Sequence, residues 1–305
     1  MRSVWTTMFA LLLSACAGCQ KDYLARRVVE PSTQSGKILL SLAGTGEKLI
    51  EQGRIDLHRE IVMPDKTVID VWVLRARPPE QSETPQRALG TVVVLHGLSE
   101  SKAAFPYFGT AQRLAKMGYD VVLPDLRAHG RSGGKYVTYG AKEKHDVKAV
   151  VDALVSAGQV SPTIYAFGVN LGGAVAIQYA AIDERCKGVM AVAPYKDCAS
   201  VARLGMLWLS AEEFQAVMDH IGKLGDFDPA EASTVKAAAQ LKCPLLVVHG
   251  LLDMSVPMQH SEAIVAAAPE PKKFLMLVLD LEAAVMAEDW LAKNLDKLAR
   301  TGLAE

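Results

Sequence analysis

From Arg54 onward, short runs of valine, leucine and isoleucine alternate with segments of helical periodicity. The runs are near-continuous in hydrophobicity, which predicts strands buried on both faces. Such strands, connected through helices, form a mostly parallel sheet covered on both sides. The predicted strands are Thr91–Leu95, Asp120–Leu123, Thr163–Phe167, Gly188–Val192, Pro244–His249 and Phe274–Leu279. Helical patterns fall between them at Gly109–Met117, Lys142–Ser156, Gly172–Ile182 and Gln259–Ala267, with a last helix near Val285–Arg300. Ahead of these, Arg54–Val62 and Thr67–Arg75 read as a hairpin around Met63-Pro64-Asp65-Lys66. The expectation is one α/β domain over residues 51–305.

Composition narrows the function classes. A chain of 305 residues, half of them hydrophobic, has ample material for a core and is no disordered polypeptide. A formal net charge of −1 removes the electrostatic basis for nucleic-acid binding, so no nucleic-acid partner is expected. Five cysteines are too few to frame a disulfide-held mini-domain. Cys186 and Cys243 each sit just before a predicted strand, Gly188–Val192 and Pro244–His249. If those strands are parallel neighbours about 4.8 Å apart, the two thiols are either within disulfide reach or simply buried as free thiols.

Residues 194–241 interrupt the alternation with mostly helical sequence, and an excursion of that length suggests a small helical cap. Its apolar residues Leu204, Met206, Leu207, Trp208, Leu209, Phe214 and Met218 could roof a pocket or seat the excursion on the sheet.

The amino-terminal residues read as an address. Residues 1–15 carry an early cation, Arg2, and an apolar run from Val4 to Leu13 that is too short to span a bilayer. The junction Leu13-Ser14-Ala15-Cys16 resembles the lipobox of bacterial lipoproteins. That resemblance implies acylation at Cys16, membrane attachment through the lipid and export to the cell envelope. Gly18, two positions after the cysteine, is not the aspartate associated with inner-membrane retention, which favours the outer membrane where there is one. Residues 16–50 read as a tether with a short helix around Lys37–Leu42.

Four segments carry a second resemblance. They are His96-Gly97 after the strand at 91, Asp125-Leu126-Arg127-Ala128-His129-Gly130-Arg131-Ser132 after the strand at 120, Gly168-Val169-Asn170-Leu171-Gly172-Gly173 between strand and helix, and His249-Gly250-Leu251-Leu252-Asp253 running on to Val256-Pro257. In this order and context they resemble the α/β-hydrolase superfamily, near its serine-hydrolase and serine-aminopeptidase-like branches, over roughly residues 54–300. The resemblance implies the α/β-hydrolase fold, with a serine nucleophile on a tight G-x-S-x-G turn, a later acid and a histidine.

Here the turn holds Asn170 at the serine position. An amide nitrogen delocalised into its carbonyl is no nucleophile, so the acyl-enzyme route is closed there. Asp253 matches the acid. The histidine should follow the last strand near residues 281–285, where the sequence reads Leu281-Glu282-Ala283-Ala284-Val285, and no histidine occurs after His260. Glu282 could in principle activate water there, and Ser99, Ser101 and Ser132 lie near the same edge without an evident base. The resemblance further implies an oxyanion hole from the backbone N–H groups of Leu171 and Leu98, which side-chain loss leaves in place. Asparagine suits the vacated position because it tolerates positive φ, so Asn170→Ser should lower or leave unchanged the melting temperature.

His96, His129 and His249 match positions where this family has structural histidines. His58, His145, His220 and His260 read as surface or packing residues. No metal-ligand spacing and no phosphate-cradling glycine motif occurs, so no metal and no cofactor are expected. The functional expectation is a pseudo-hydrolase that binds a small acyl- or ester-like ligand or an envelope partner. The alternative is an atypical or residual hydrolase of ester or amide bonds.

Overall fold

The computed structural model describes residues 20–31, 46–77, 88–104, 106–277, 288–301 and 303. The apolar runs form an eight-stranded sheet: β1 (Leu57–Val62), β2 (Val68–Leu74), β3 (Thr91–Leu95), β4 (Asp120–Pro124), β5 (Ile164–Val169), β6 (Cys186–Val192), β7 (Leu245–Gly250) and β8 (Lys272–Leu277). Their spatial order is β1-β2-β4-β3-β5-β6-β7-β8. Only β1 and β2 run antiparallel to their neighbours; every pairing from β4 to β8 is parallel. Every residue of β3, β4 and β7 is buried, as uniform apolar runs require of interior strands.

Helices cover both faces. In chain order they are α1 (residues 20–29), α2 (Gly46–Glu51), α3 (Tyr107–Lys116), α4 (Glu143–Ser156), α5 (Leu171–Ala180), α6 (Cys198–Leu204), α7 (Ala211–Gly225), α8 (Thr234–Ala238), α9 (Gln259–Ala267) and α10 (Glu288–Thr301). One buried cluster joins α4 and α5 to one sheet face, and a second joins α3 and α10 to the other. The helix α5 is buried along its whole length, because its small and aliphatic side chains pack between sheet and α4. Among the described residues, no helix is long and apolar enough to cross a membrane.

The amino-terminal reading needs correction. Residues 20–29, expected within a tether, form a helix docked on the domain. Leu24, Ala25 and Val29 fall on one face and join the core. Asp22, Arg26 and Glu30 link successive turns of the opposite face through ion pairs at 2.6 and 2.8 Å. Tyr139 donates its hydroxyl proton to the Val28 carbonyl at 2.6 Å, and His220 donates to Asp22 at 3.0 Å. The charged surface of this segment masked its apolar stripe in the sequence. The expected helix at Lys37–Leu42 lies outside the described residues.

The excursion at 194–241 folds as α6, α7, a short 3-10 turn (Pro229–Glu231) and α8. Its apolar side chains divide between core and surface. Met206, Leu209 and Met218 are buried in the core, whereas Leu207 and Trp208 are 70% and 69% exposed. A surface groove of about 370 Å³ lies along it, lined in part by Asp197, Phe214, Met218 and Asp228.

Candidate active site

The register places the loops of interest at one level. Leu95 pairs with Gly168, Val169 with Val192, and Val192 with Val248, so β3, β5, β6 and β7 release their following loops together. That carboxyl edge is backbone-strained. Non-glycine residues with positive φ follow four strands: Ser99 (65°) after β3, Ala128 (63°) after β4, Asn170 (51°) after β5 and Ala193 (44°) after β6. Such outliers cluster where structure is held for a purpose other than stability.

The turn between β5 and α5 shows why its glycines are required. A Cβ on Gly172 would lie 2.2 Å from the Leu95 carbonyl oxygen and 2.6 Å from that of His96. A Cβ on Gly168 would lie 2.1 Å from the Gly172 carbonyl oxygen. The strand and helix thus meet backbone to backbone, which drives residue 170 outward. Asn170 is half-buried at φ 51°, ψ −111°, with its N–H donating to the Val192 carbonyl at 2.8 Å. The expected positive φ is present, but ψ lies far from the left-handed helical region. The conformation is that of the first central residue of a type II′ turn, which also accommodates asparagine. The Asn170 amide oxygen accepts the N–H of Leu171 at 2.8 Å. The backbone donor that the family resemblance assigns to the oxyanion hole therefore already has a partner, supplied by the residue in the nucleophile position.

Leu98 leaves β3, the strand adjacent to β5, and is half-buried. Asp253 sits past β7, two strands from the elbow, or about 10 Å across the sheet. Its Oδ1 accepts the N–H groups of Ser255 and Val256 at 2.7 and 2.9 Å, and so closes its own loop. The stretch expected to hold the histidine, 281–285 with Glu282, lies outside the described residues.

His249 is buried. Its Nε2–H donates to the Val256 carbonyl at 2.9 Å, which leaves Nδ1 to accept the Ser261 hydroxyl at 2.7 Å. The polarity is that of a serine activated by histidine, yet both side chains are wholly buried, so the pair fixes the β7–α9 connection. Sequence reading placed His249 correctly as structural and did not find its partner, which lies twelve residues on across a loop.

His96 and His129 are also structural, with fixed tautomers. Each donates from Nδ1 to a carbonyl at 2.8 Å, that of Gly97 for His96 and Arg127 for His129. Each accepts a backbone N–H on Nε2, from Leu126 at 2.9 Å and Ser99 at 3.0 Å respectively. Both rings are therefore neutral. Burial, reinforced by the neighbouring His129 ring, pushes the His96 imidazole down to about 3, and burial lowers His129 as well.

Beneath them lies a buried ionic cluster that sequence reading missed. The Lys102 ammonium, with no exposed side-chain surface, bridges Asp70 and Asp125, and its charge sits 4.8 Å from the Trp72 ring centroid. Asp125 also accepts the N–H groups of Lys102 at 2.8 Å and Arg131 at 2.9 Å. Burial alone would raise the Asp125 carboxyl, but the Lys102 charge and the Arg131 N–H hold it below the ordinary carboxylate range. Asp70 in turn accepts from His58 at 2.7 Å. Ser132 binds the Asp125 carbonyl at 2.6 Å, and Ser101 is buried, so neither is a surface nucleophile. His58, Glu60 and Asp70 each bring a ligand-type atom within 4.8 Å of the others, across β1 and β2. Asp70 is committed to Lys102, which disfavours a second cation there.

This geometry can be set against known proteins. Residues 86–220 match the family described as serine aminopeptidase, S33. The Pyrococcus furiosus esterase Pf2001 superposes with a TM-score of 0.63 at 23% identity, covering 82% of this chain and 95% of that one. This is an α/β-hydrolase-fold protein. The acetyl xylan esterase from Paenibacillus sp. R4 shares the fold at a TM-score of 0.59 and 16% identity, over 86% of this chain and 94% of that one. In sequence, YfhR of Escherichia coli K12 is 23% identical over 72% of this chain and 70% of its own length. The Bacillus subtilis protein named as peptidase YuxL is 24% identical over 78% of this chain, but only 36% of its own length is covered.

Proposed function

We propose that this chain is an exported, lipid-anchored member of the α/β-hydrolase superfamily that binds a small acyl- or ester-like ligand at the elbow without turning it over. The observation that carries the reading is Asn170. It stands at the outward tip of the β5–α5 turn, has no nucleophilic atom, and caps the Leu171 N–H with its own amide oxygen. The same orientation leaves the Asn170 amide N–H groups as donors where a serine hydrolase carries its attacking oxygen. A carbonyl or carboxylate held there meets a hydrogen-bond donor. The lack of any histidine after His260 in the sequence supports the same reading, since a triad base is expected beyond β8. For the anchor, the support is the Leu13-Ser14-Ala15-Cys16 junction.

Retention of Asp253 and the esterase-like neighbours favour a second reading, a residual hydrolase. Sites stripped of their triad can keep about 10³–10⁴-fold catalysis over water through the oxyanion hole and binding. One experiment separates the two. Short- and medium-chain p-nitrophenyl esters are offered to the chain and to Asn170→Ala and Asp253→Ala. The expected result is no turnover above buffer, with the corresponding carboxylic acids raising the melting temperature of the parent and not of Asn170→Ala. Turnover that falls in either variant overturns the binding reading. No thermal shift with any acid points to a protein partner instead. In cells, Cys16→Ala should move the chain from the membrane fraction to the soluble one, and unchanged partition would refute the anchor.

A further inference from the structure

The two cysteines singled out in the sequence meet at the opposite, amino-terminal edge of the sheet. Cys186 opens β6, and Cys243 precedes β7, its parallel neighbour. Val189 pairs with Leu245, and the Val189 N–H donates to the Pro244 carbonyl at 2.9 Å. β6 carries an extra residue between Cys186 and Val189, where its register with β5 shifts, so the pairing continued backward brings Cys243 level with the Cys186–Lys187 step. With strands about 4.8 Å apart and a rise of about 3.3 Å per residue, the two Cα atoms lie about 6 Å apart. Disulfides span about 4.4–6.8 Å between Cα atoms. Both side chains join the same buried cluster on one face of the sheet, and the Cys186 Sγ also lies 3.5 Å from the Gly188 carbonyl. Cys198, the other described cysteine, is wholly buried and takes no part in this pairing.

We propose that Cys186 and Cys243 form a disulfide in the oxidised protein, through thiol–disulfide exchange, and that this bond clips the chain returning from the 194–241 excursion to the start of β6. Access is provided for on the surface. A cavity of about 400 Å³ lined by Asp183, Cys186, Lys187 and Lys242 reaches Cys186, next to the residue that precedes Cys243. Attack starts at Cys243. The hydrogen bond from Cys186 holds its thiol below the ordinary value and the Lys187 charge adds to this, while the same contact and burial push the Cys186 thiol up. The Cys243 thiolate attacks one sulfur of a low-molecular-weight disulfide, forming a mixed disulfide and releasing one thiolate. The Cys186 thiol then loses its proton and attacks Cys243 Sγ, expelling the second thiolate and closing the Cys186–Cys243 bond. The two cysteines lose two electrons and two protons in all, and the reagent is reduced to two thiols.

The bond joins the starts of β6 and β7, whereas Asn170 and Asp253 lie at their far ends, so its effect is on stability and not on the elbow. The chain is incubated folded with oxidised glutathione, and its cross-links are mapped by mass spectrometry after alkylation. The expected result is one Cys186–Cys243 link, with a melting temperature roughly 5–10 °C above that of the reduced chain. Cys186→Ala should instead retain one glutathione on Cys243, and Cys198→Ala should behave as the parent. Recovery of Cys186 and Cys243 as free thiols, or linked only to Cys16 or Cys19, overturns the proposal. A cross-linked chain that melts no higher than the reduced one overturns the clip. Cys243→Ser, which keeps a small hydrogen-bonding side chain, provides a second non-oxidisable form if the alanine variants fold poorly.

Discussion

On one side of the elbow, the loops after β3 and β4 are locked from beneath. Lys102 bridges two buried carboxylates, and His96 and His129 each satisfy a backbone donor and a backbone acceptor. On the other side, the loop after β7 leaves Leu252 64% and Met254 96% exposed, and Asp253 hydrogen-bonds within its own loop. The first flank holds its backbone through charges that cannot reach water. The second relies on a local Asx-type turn that solvent can replace. The rigid flank shapes the elbow. The flank that carries Asp253 is closed upon itself.

The contrast breaks most directly at Lys102. Lys102→Met should leave Asp70 and Asp125 as uncompensated buried carboxylates and cost about 3–5 kcal/mol, measured by urea unfolding. A cost near zero would mean that water already reaches the cluster. The pH dependence sharpens the same point. His96 titrates near 3 in the folded chain and near 6.5 when unfolded, so below about pH 6.5 the unfolded state takes up a proton that the folded state refuses. The stability this histidine supplies is complete above that pH and falls by about 1.4 kcal/mol per pH unit as acid is added. His129 is shifted in the same direction and adds to the slope. His96→Asn should flatten the acid limb by about one proton, and an unchanged slope would remove His96 from the account. The smallest effects belong to the elbow and the loose flank. Asn170→Ser and Asp253→Ala should each lower stability by about 1 kcal/mol in the same unfolding assay, the first through loss of one side-chain hydrogen bond and the second through loss of two that solvent can replace. A clear gain in either would show that the residue is strained rather than settled.

Much of this organisation was legible in the residues. The strands announce themselves as apolar runs, and the structure starts Cys186–Val192 and the half-exposed edge strand Lys272–Leu277 only two residues earlier than their patterns suggest. The elbow is equally local, because Gly168 and Gly172 are demanded by backbone contacts within one turn and the adjoining strand. The helix at 20–29 was not legible. Its apolar stripe is short, its surface is charged, and only docking against Tyr136 and Tyr139 gives it a reason to form.

Sequence alone determined the α/β alternation, the asparagine at residue 170 and the candidate acid at Asp253, since each depends on neighbours a few residues away. Tertiary structure decided which groups those residues meet. Asp70, Lys102 and Asp125 are far apart along the chain and converge only when β2 pairs with β4. Burial then makes their charges interdependent, because low dielectric strengthens attraction and punishes any unpaired member. The Asn170 amide likewise reads as a lost nucleophile in sequence. Only the backbone geometry at φ 51°, ψ −111° turns its oxygen onto the Leu171 N–H and makes it a cap on the donor beside it.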